Sequence, residues 1–405
     1  MLRVLTARTE PGERLVELAE RLADEIGPNA AVHDRDASFP FGSFAVIKES
    51  GYFTAPIPRE LGGLGVTSLH DLVVASSRLA RGDASLTLGA NMHFAYVLNV
   101  VRRWEMARAS GDERRMGALG ASLAQIVRDD TVFAAASSEV GQNLTRPATT
   151  ATRTEDGWIV TGRKAFCTMS PAADVLYAAV TYVRDVGDER YGYAMVPRET
   201  PGVVVHDDWD ALGMRASASH SVSFENVKLP ATALRGGFPV GDAVAYMDRN
   251  LSAGLFHAAA ALGVAEAADA EAMGSVGGRD DIDSRAQMLA AENVVDLSAS
   301  RAVLSRAAGL VDDQQLSRPT SPLPPDELTS LFGEAQSAKT FISEAAVRIV
   351  DRALALSGGA GYLNGSPLAR AYRDVRATAF MHPLGANRAY EFLGQLAVGR
   401  PPSLH

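Results

Sequence analysis

The sequence predicts an α+β protein in which a strand-rich segment is inserted between two long helical regions. From Thr131 to Pro230 the chain is polar and reads as a series of short strand-like runs. Before and after this segment, long stretches have the apolar pattern of helices. The Asp156-Gly157 step between two of the runs is a strong signal for a β-hairpin. A small β-domain inserted in a helical chain is an unusual layout, and it narrows the fold class more than any single motif.

Six runs within this segment are predicted β-strands. Glu155–Gly157 joins the second run to the third, while Gly187 and the Pro201-Gly202 step mark later turns. We expect an antiparallel β-domain that covers residues 130–237. The predicted strands are Thr131–Ala136, Thr149–Arg153, Trp158–Phe166, Val175–Val183, Tyr191–Pro197 and Ser221–Leu229.

Four helices are predicted in the N-terminal region, residues 1–129. Ser68 has the residue type of an N-cap, and Asp71 follows it in capping-box spacing. Leu86–Trp104 is apolar almost all round, so we expect a buried helix there, and this helix contains His93. The predicted helices are Arg14–Ile26, Ser43–Ser50, Ser68–Ala80 and Leu86–Trp104.

Four long helical segments are predicted in the C-terminal region, residues 238–405. The proline-bearing stretch Ser317–Pro325 separates the second from the third, because proline excludes regular structure there. The third segment ends at Ser357–Gly359, where glycine is typical of a helix C-terminus. The predicted segments are Val240–Ala272, Ile282–Val311, Pro325–Ala355 and Ser366–Leu396.

The composition is that of a soluble globular protein. Of the 405 residues, 47% are hydrophobic and 21% are charged, the formal net charge is -9, and Cys167 is the one cysteine. The negative charge argues against nucleic acid as a partner, and a lone cysteine excludes an internal disulfide. Met1–Arg21 mixes charged with apolar residues and Ala253–Val264 is too short to span a bilayer, so we predict neither a signal peptide nor a membrane anchor. We expect a cytoplasmic protein without a metal site.

Six motifs, in the right order and spread over nearly the whole chain, resemble those of acyl-CoA dehydrogenases. Three lie in the β-segment and match the middle domain of that family. The resemblance implies a helical N-terminal domain, a middle β-domain, a C-terminal four-helix bundle and a bound flavin. The motifs are Pro58–Gly65, Ser138–Gly141, Gly162–Thr168, Leu212–Arg215, Gly358–Tyr362 and Arg373-Asp374.

The resemblance also assigns residues to the flavin ring. A flavin ring needs hydrogen-bond donors at its nitrogen and oxygen atoms and a flat apolar wall. By matching motifs, the ring contacts become Ala136 and Ser138 on one side, and Phe166 and Thr168 on the other. Phe166 replaces the tryptophan that is usual in the family, and Thr168 offers a hydroxyl and a backbone N–H.

In the family, the glycine loop that Gly358 and Gly359 match packs against the flavin pyrophosphate of a neighbouring subunit. It therefore implies a homotetramer. Two supporting features differ here. Ala355 replaces the usual glutamine, and the stretch Gly274–Arg279 replaces an Arg-x-x-Phe-Gly signature. FAD and FMN are therefore both candidate cofactors.

The position of the catalytic base departs from the dehydrogenase pattern. Desaturation of an acyl thioester needs a carboxylate with a raised pKa. The slot that follows Arg373-Asp374 holds His382, and the other common slot falls at Asn250 or Ala253. Both slots therefore lack a carboxylate.

A histidine at this slot favours other chemistry. Its pKa ordinarily lies near neutrality, so it can hydrogen-bond or protonate a flavin hydroperoxide, or take a proton from a phenol or amine substrate. In this respect the chain resembles the flavin-dependent monooxygenase branch of the family, which includes dibenzothiophene monooxygenase. His93 is either a core residue with a satisfied hydrogen bond or faces the flavin pocket, as a similarly placed histidine does in some relatives. The candidate catalytic residues are His382, His93 and Asn250.

The expected function is a monooxygenase that uses reduced flavin, supplied by a separate reductase, and O2 on a small organic substrate. Two alternatives stay open. One is an acyl-CoA or acyl-carrier dehydrogenase that performs α,β-desaturation with FAD, and the other is a non-catalytic flavin-binding homologue.

Overall fold

A computed structural model describes residues 4–141, 143–277 and 281–404 of the chain. Gly278 and Arg279, at the end of the glycine-rich stretch, lie outside these ranges. The described α-helices are α1 (Glu10–Asp36), α2 (Phe41–Glu49), α3 (Leu69–Gly82), α4 (Ala84–Ser110), α5 (Glu113–Arg128), α6 (Ala243–Asn250), α7 (Ala253–Gly277), α8 (Ser284–Ser317), α9 (Pro325–Ser357), α10 (Pro367–Asp374) and α11 (Ala386–Ala397). The described strands are β1 (Phe133–Ala136), β2 (Thr150–Arg153), β3 (Gly157–Cys167), β4 (Val175–Asp185), β5 (Asp188–Pro197), β6 (Val203–Val205), β7 (His220–Pro230) and β8 (Leu234–Pro239).

The four helices predicted before the β-domain are present, and the structure adds a fifth, α5. Ser68 caps α3 as predicted, because its hydroxyl accepts a hydrogen bond of 3.2 Å from the Asp71 backbone N–H. Helix α4 is buried along most of its first five turns, as its apolar composition requires. Helix α5 was not predicted, although Asp112 caps it and Leu123 and Ile126 face the interior.

The β-domain is one mixed sheet in the order β6-β7-β3-β2-β4-β5-β8, with β1 paired to β4. Its pairs are antiparallel as expected, except that β1 and, at one position, β2 run parallel to β4. The six predicted strands are present, and β6 and β8 were missed. Strand β6 has three residues, and β8 contains Gly236 and Gly237, a residue type that is depleted in strands.

Two predicted long helices are each interrupted next to the cavity described below. The segment Val240–Ala272 is divided into α6 and α7 after Asn250, whose side-chain amide donates a hydrogen bond of 2.8 Å to the Tyr246 carbonyl. The final segment is divided into α10 and α11, with Pro383 in the connection.

The stretch Ala243–Gly277 is the one described helical region that is long and apolar enough to cross a membrane. Its mean hydropathy reaches 1.4, but 94% of that window is buried inside the protein. This stretch therefore lies in the protein core.

A buried ion pair joins two of the sequence motifs within the β-domain. The Lys164 ammonium group lies 2.6 Å from a Glu139 carboxylate oxygen, and the lysine side chain is 0% exposed. Glu139 also accepts hydrogen bonds from the backbone N–H and hydroxyl of Thr149. Burial acts to raise the pKa of Glu139, but the Lys164 charge and these hydrogen bonds bring it below its usual value. The carboxylate is therefore ionised and holds the segment after β1 against β3.

Replacing Lys164 with methionine should strongly destabilise the protein. Removing one partner of a buried pair leaves the other charge uncompensated, which costs about 3–5 kcal/mol of unfolding free energy. Denaturant unfolding would measure the change. The neighbouring Arg163→Met is the matched control, since its exposed pair with Asp208 should contribute less than about 1 kcal/mol. Equal effects of the two substitutions would contradict a structural role for the buried pair.

Candidate active site

The described chain contains a cavity of about 730 Å³ between the β-domain and the helices on both sides of it. Its walls come from α4, α5, α6 and α7, from one face of the sheet and from the segment that follows α10. This volume lies in the range of ligand and cofactor pockets. No Asp or Glu is among the described residues that line it. Most of the lining is apolar or aromatic, and the charged side chains that line it are arginines.

One wall of the cavity is aromatic. Phe166 has a left-handed backbone (φ 55°), and its ring is 64% exposed because it projects from the end of β3 into the cavity. Trp209 packs edge-on against it, with ring centroids 6.0 Å apart. The Trp209 indole N–H donates a hydrogen bond of 3.0 Å to the Met214 carbonyl. The sequence analysis missed Trp209, because it lies in a connection without a motif.

A chain of hydroxyl groups lies beside this wall. The Thr168 hydroxyl is 2.9 Å from that of Ser219, which is 2.7 Å from that of Ser217. Thr168 and Ser219 both line the cavity. The Thr168 backbone N–H, which was expected to face the flavin, instead donates to the Phe166 carbonyl at 3.0 Å. At this position the threonine therefore offers its hydroxyl rather than its N–H.

The strand β1 contributes a different set of residues from the one predicted. Ser138 lines the cavity as expected, and its carbonyl accepts a hydrogen bond of 2.9 Å from the Ala165 N–H. The Ala136 side chain instead lies in the core of the β-domain and is 0% exposed. Ala135 and Ser137 line the cavity, because alternate residues of a strand face opposite sides of the sheet.

The motifs Leu212–Arg215 and Arg373-Asp374 meet below the aromatic wall. The Asp374 carboxylate accepts a hydrogen bond of 2.6 Å from the Met214 backbone N–H, and Gly213 packs so closely on the Arg373 carbonyl that a Cβ atom there would clash at 2.2 Å. Arg373 also forms an ion pair of 2.8 Å with Asp34 at the end of α1. Burial raises the pKa of Asp374 to about 7. The two motifs thus join the N-terminal, middle and C-terminal regions at one point.

The two alternative slots for a catalytic base lie side by side. His382 Nε2 is 2.7 Å from Asn250 Oδ1, and the Asn250 amide N–H2 donates to the Tyr246 carbonyl, so Nε2 carries the proton and donates it to Asn250. The Tyr246 hydroxyl lies 3.5 Å from His382 Nδ1 but donates to the Pro383 carbonyl at 3.0 Å. His382 Nδ1 therefore keeps a lone pair that can accept a proton.

The surroundings of His382 hold its imidazole neutral. Burial, with a smaller contribution from the Lys339 charge, lowers the pKa of His382 to about 4. This corrects the expectation of a value near neutrality. Lys339 donates hydrogen bonds to the Met381 carbonyl and, at 2.8 Å, to the Leu384 carbonyl, so it fixes the segment that carries His382. Burial lowers the pKa of Lys339 itself to about 7.

His93 is not among the residues that line the cavity, so the structure supports the core role expected for it and not the pocket-facing one. It is 0% exposed and donates a hydrogen bond of 2.9 Å from Nε2 to the Phe53 carbonyl. Its Nδ1 accepts a bond of 3.1 Å from the Phe133 backbone N–H. Burial lowers the pKa of His93 to about 4. With both ring nitrogens bound to backbone, this histidine joins α4 to β1.

The glycines of the loop after α9 lie away from the cavity. Gly358 and Gly359 are exposed, and no atom of the chain lies within 4 Å of a Cβ atom placed on either of them. They contact no part of the cavity within one chain. In the dehydrogenase pattern described above, this loop serves the flavin of a neighbouring subunit.

The cavity fits the ring of a flavin. Phe166 and Trp209 provide an exposed aromatic wall within it, and the hydroxyls of Thr168 and Ser219 provide polar partners at the edge of that wall. Among the described residues, no cluster of three or more His, Cys, Asp or Glu could hold a metal ion.

Comparison with known protein families places all three regions. The N-terminal, middle and C-terminal domain models of acyl-CoA dehydrogenase match residues 9–104, 132–227 and 255–383. The chain belongs to the acyl-CoA dehydrogenase family. The helical, β and helical order of the fold is the order of that family, as the motifs predicted.

Similar proteins within the family point to its flavin-dependent oxidases and oxygenases. The amino sugar nitrososynthase RubN8 of Streptomyces rubradiris is 34% identical over 97% of this chain and 92% of its own length. A structure of KijD3 in complex with FMN and dTDP-3-amino-2,3,6-trideoxy-4-keto-3-methyl-D-glucose has a TM-score of 0.89 at 32% identity, over 98% of this chain and 96% of that one. The complex of TdsC from Paenibacillus sp. A11-2 with FMN and indole has a TM-score of 0.82 at 25% identity, over 96% and 99%.

These similarities identify the chain as a flavin-dependent oxidoreductase of the acyl-CoA dehydrogenase type. Its cofactor is FMN or FAD, since the similar structures hold FMN and the family includes the acyl-CoA dehydrogenases.

Proposed function

We propose that the protein is a flavin-dependent monooxygenase that oxygenates the primary amine of an amino sugar. The observation that carries this proposal is the absence of any carboxylate among the described residues that line the cavity, where the neutral imidazole of His382 occupies the base slot. Removal of an α-proton from an acyl thioester needs a carboxylate base, whereas a neutral imidazole places no positive charge beside an amine and can accept a proton from its nitrogen as that nitrogen is oxygenated. The similarity to RubN8 and KijD3 supports an amino sugar as the substrate class.

The residues of the cavity act through binding and proton transfer. The bound reduced flavin supplies the two electrons with which O2 is split between the product and water. The substrate amine enters uncharged, because an imidazole with a pKa of about 4 is too weak a base to deprotonate an ammonium group. The nitrogen becomes far more acidic once it bonds to oxygen, and His382 Nδ1 accepts the proton that it then loses. Asn250 keeps the imidazole in the tautomer that leaves Nδ1 free, and Lys339 holds the backbone on either side of it. Thr168 and Ser219, whose hydroxyls lie beside Phe166 in the cavity wall, would hold the flavin ring.

We also propose the assembly and setting of the enzyme. The exposed loop at Gly358 and Gly359, with Tyr362 exposed beside it, supports a homotetramer in which this loop contacts the flavin of a neighbouring subunit. A separate reductase would supply the reduced flavin. The enzyme would be cytoplasmic, and its three domains would cover residues 1–129, 130–237 and 238–405.

The proposed homotetramer can be tested by light scattering, which should give the mass of four chains at micromolar concentration. A monomer at that concentration would contradict the proposed assembly.

The choice between oxygenation and desaturation can be tested directly. With reduced FMN or FAD, O2 and a nucleotide-linked amino sugar, we expect O2-dependent oxidation of the amine, measured by mass spectrometry. Anaerobic addition of an acyl-CoA should leave the bound oxidised flavin coloured, because no carboxylate is placed to remove the α-proton. Bleaching of the flavin by the thioester, without amine oxidation, would make the enzyme a dehydrogenase.

Replacing His382 with alanine should lower the turnover number roughly 10²- to 10⁴-fold, the usual contribution of a positioned proton-transfer group. Flavin binding should change little, because Phe166, Thr168 and Ser219 form the proposed ring contacts. His382→Glu, which restores a carboxylate at the slot, tests whether the pocket still accepts a thioester. Full activity of the alanine variant would remove His382 from the mechanism.

The low pKa of His382 also predicts a pH dependence. Above about pH 5 the imidazole is neutral, so its part of the reaction rate should stay constant through neutral pH and fall as the pH approaches 4. The unfolded chain has a histidine pKa of about 6.5. The contribution of this group to folding stability is therefore complete above about pH 6.5 and is lost as the pH falls towards 4. Unfolding curves of the wild type and His382→Ala between these pH values should converge in acid.

A further inference from the structure

Three arginines without a carboxylate partner line the cavity. Arg103 comes from α4, Arg235 from β8 and Arg249 from α6. Within the ranges that the structure describes, none of the three forms an ion pair with an Asp or Glu. A positive charge that borders an apolar cavity without a counter-ion is unfavourable unless a ligand supplies the negative charge.

Arg249 is held in place without its charge being neutralised. Its guanidinium carbon lies 3.9 Å from the centroid of the Tyr193 ring and 5.2 Å from that of Phe238. Stacking on two aromatic rings fixes the plane of the guanidinium group. Its Nη1 is buried and has no hydrogen-bond partner. Arg235 is adjacent, since it is the cross-strand neighbour of Tyr193.

The electrostatic environment shows that the three charges converge. Burial lowers the pKa of Arg103, the positive charge of Arg249 lowers it further, and the exposed Asp248 acts in the opposite direction. Burial raises the pKa of Tyr96, and Arg235, Arg249 and Arg103 all oppose that rise. One phenol of the cavity wall therefore lies within the field of all three arginines.

Two other arginines of the cavity differ in this respect. Arg373 is paired with Asp34 and Arg376 with Asp351, so their charges are balanced within the chain. Arg235, the cross-strand neighbour of the ring on which Arg249 stacks, also lies apart from the aromatic wall. Arg235 is on β8, at the opposite edge of the sheet from β6 and β7, whose connection carries Trp209.

We propose that Arg103, Arg235 and Arg249 bind the diphosphate group of the substrate while its reactive end lies at the flavin. Guanidinium groups form two parallel hydrogen bonds with phosphate oxygens, and the three positive charges more than balance the two negative charges of a diphosphate that is esterified at both ends. Nucleotide-linked sugars and coenzyme A thioesters both carry this group. The assignment to a nucleotide-linked sugar rests on the proposed function.

Isothermal titration of the full-length, flavin-loaded protein with thymidine diphosphate tests the site without turnover. Arg249→Gln and, in the more exposed position, Arg235→Gln should each weaken binding roughly 10- to 100-fold, since each loses a charge-assisted pair. The affinity of Arg249→Lys for thymidine diphosphate should lie between those of the wild type and Arg249→Gln. Lysine keeps the positive charge but cannot donate two parallel hydrogen bonds to a phosphate. Arg108→Gln, on the same helix as Arg103 but paired with Glu60 on the surface, is the matched control and should bind as the wild type does. Thymidine, which lacks phosphate, should bind weakly to every variant.

Parallel titrations of the flavin-free protein with FMN and of the loaded protein with coenzyme A separate the outcomes. If coenzyme A binds in place of thymidine diphosphate and the same variants weaken it, the diphosphate site stands and the amino sugar assignment fails. Unchanged thymidine diphosphate binding in Arg235→Gln and Arg249→Gln would overturn the site. So would an equal loss of FMN affinity, because the arginines would then hold the flavin phosphate.

Discussion

The cavity depends on the contact at which Asp34, Met214 and the Arg373-Asp374 pair meet. Each region of the chain supplies one side of this contact, through an ion pair to α1 and a hydrogen bond to the segment before β7. The neighbouring Gly213 has no room for a side chain, so the two backbones approach as closely as they can. The aromatic wall comes from the β-domain, and His382 follows Asp374 by eight residues. This contact therefore sets the distance between the aromatic wall and His382.

The helix interruptions belong to the same construction. Asn250 is the last residue of α6, and its amide N–H2 donates to the Tyr246 carbonyl of the preceding turn. With the amide nitrogen held by this bond, the amide oxygen accepts from His382 and fixes its tautomer. The buried Lys339 then holds the two carbonyls on either side of His382. The Asn250 amide and the Lys339 ammonium group therefore satisfy backbone carbonyls with the same hydrogen bonds that position the His382 imidazole.

Local patterns in the sequence predicted which segments are helices and strands. Contacts between distant parts of the chain determine how the strands pair and which side chains face the cavity. Period-two runs and the Asp156-Gly157 turn indicated six strands, but the parallel pairing of β1 with β4 depends on the path of the intervening chain. Motif matching chose Ala136, whereas the pleat turns Ala135 and Ser137 to the cavity. The sequence placed His382 in a base slot and left two roles open for His93. The partners of the two histidines, main chain for His93 and a side-chain amide 132 residues away for His382, distinguish a structural role from a cavity role.

The position of Cys167 gives the protein a chemical property of its own. The thiol is 0% exposed at the end of β3, next to Thr168 in the cavity wall, and burial raises its pKa to about 12. Only an exposed thiolate reacts with alkylating or oxidising reagents, so Cys167 is inert while β3 stays paired with β7. The sequence has no second cysteine. The rate of thiol modification of the native protein therefore reports how often β3 and β7 separate beside the aromatic wall.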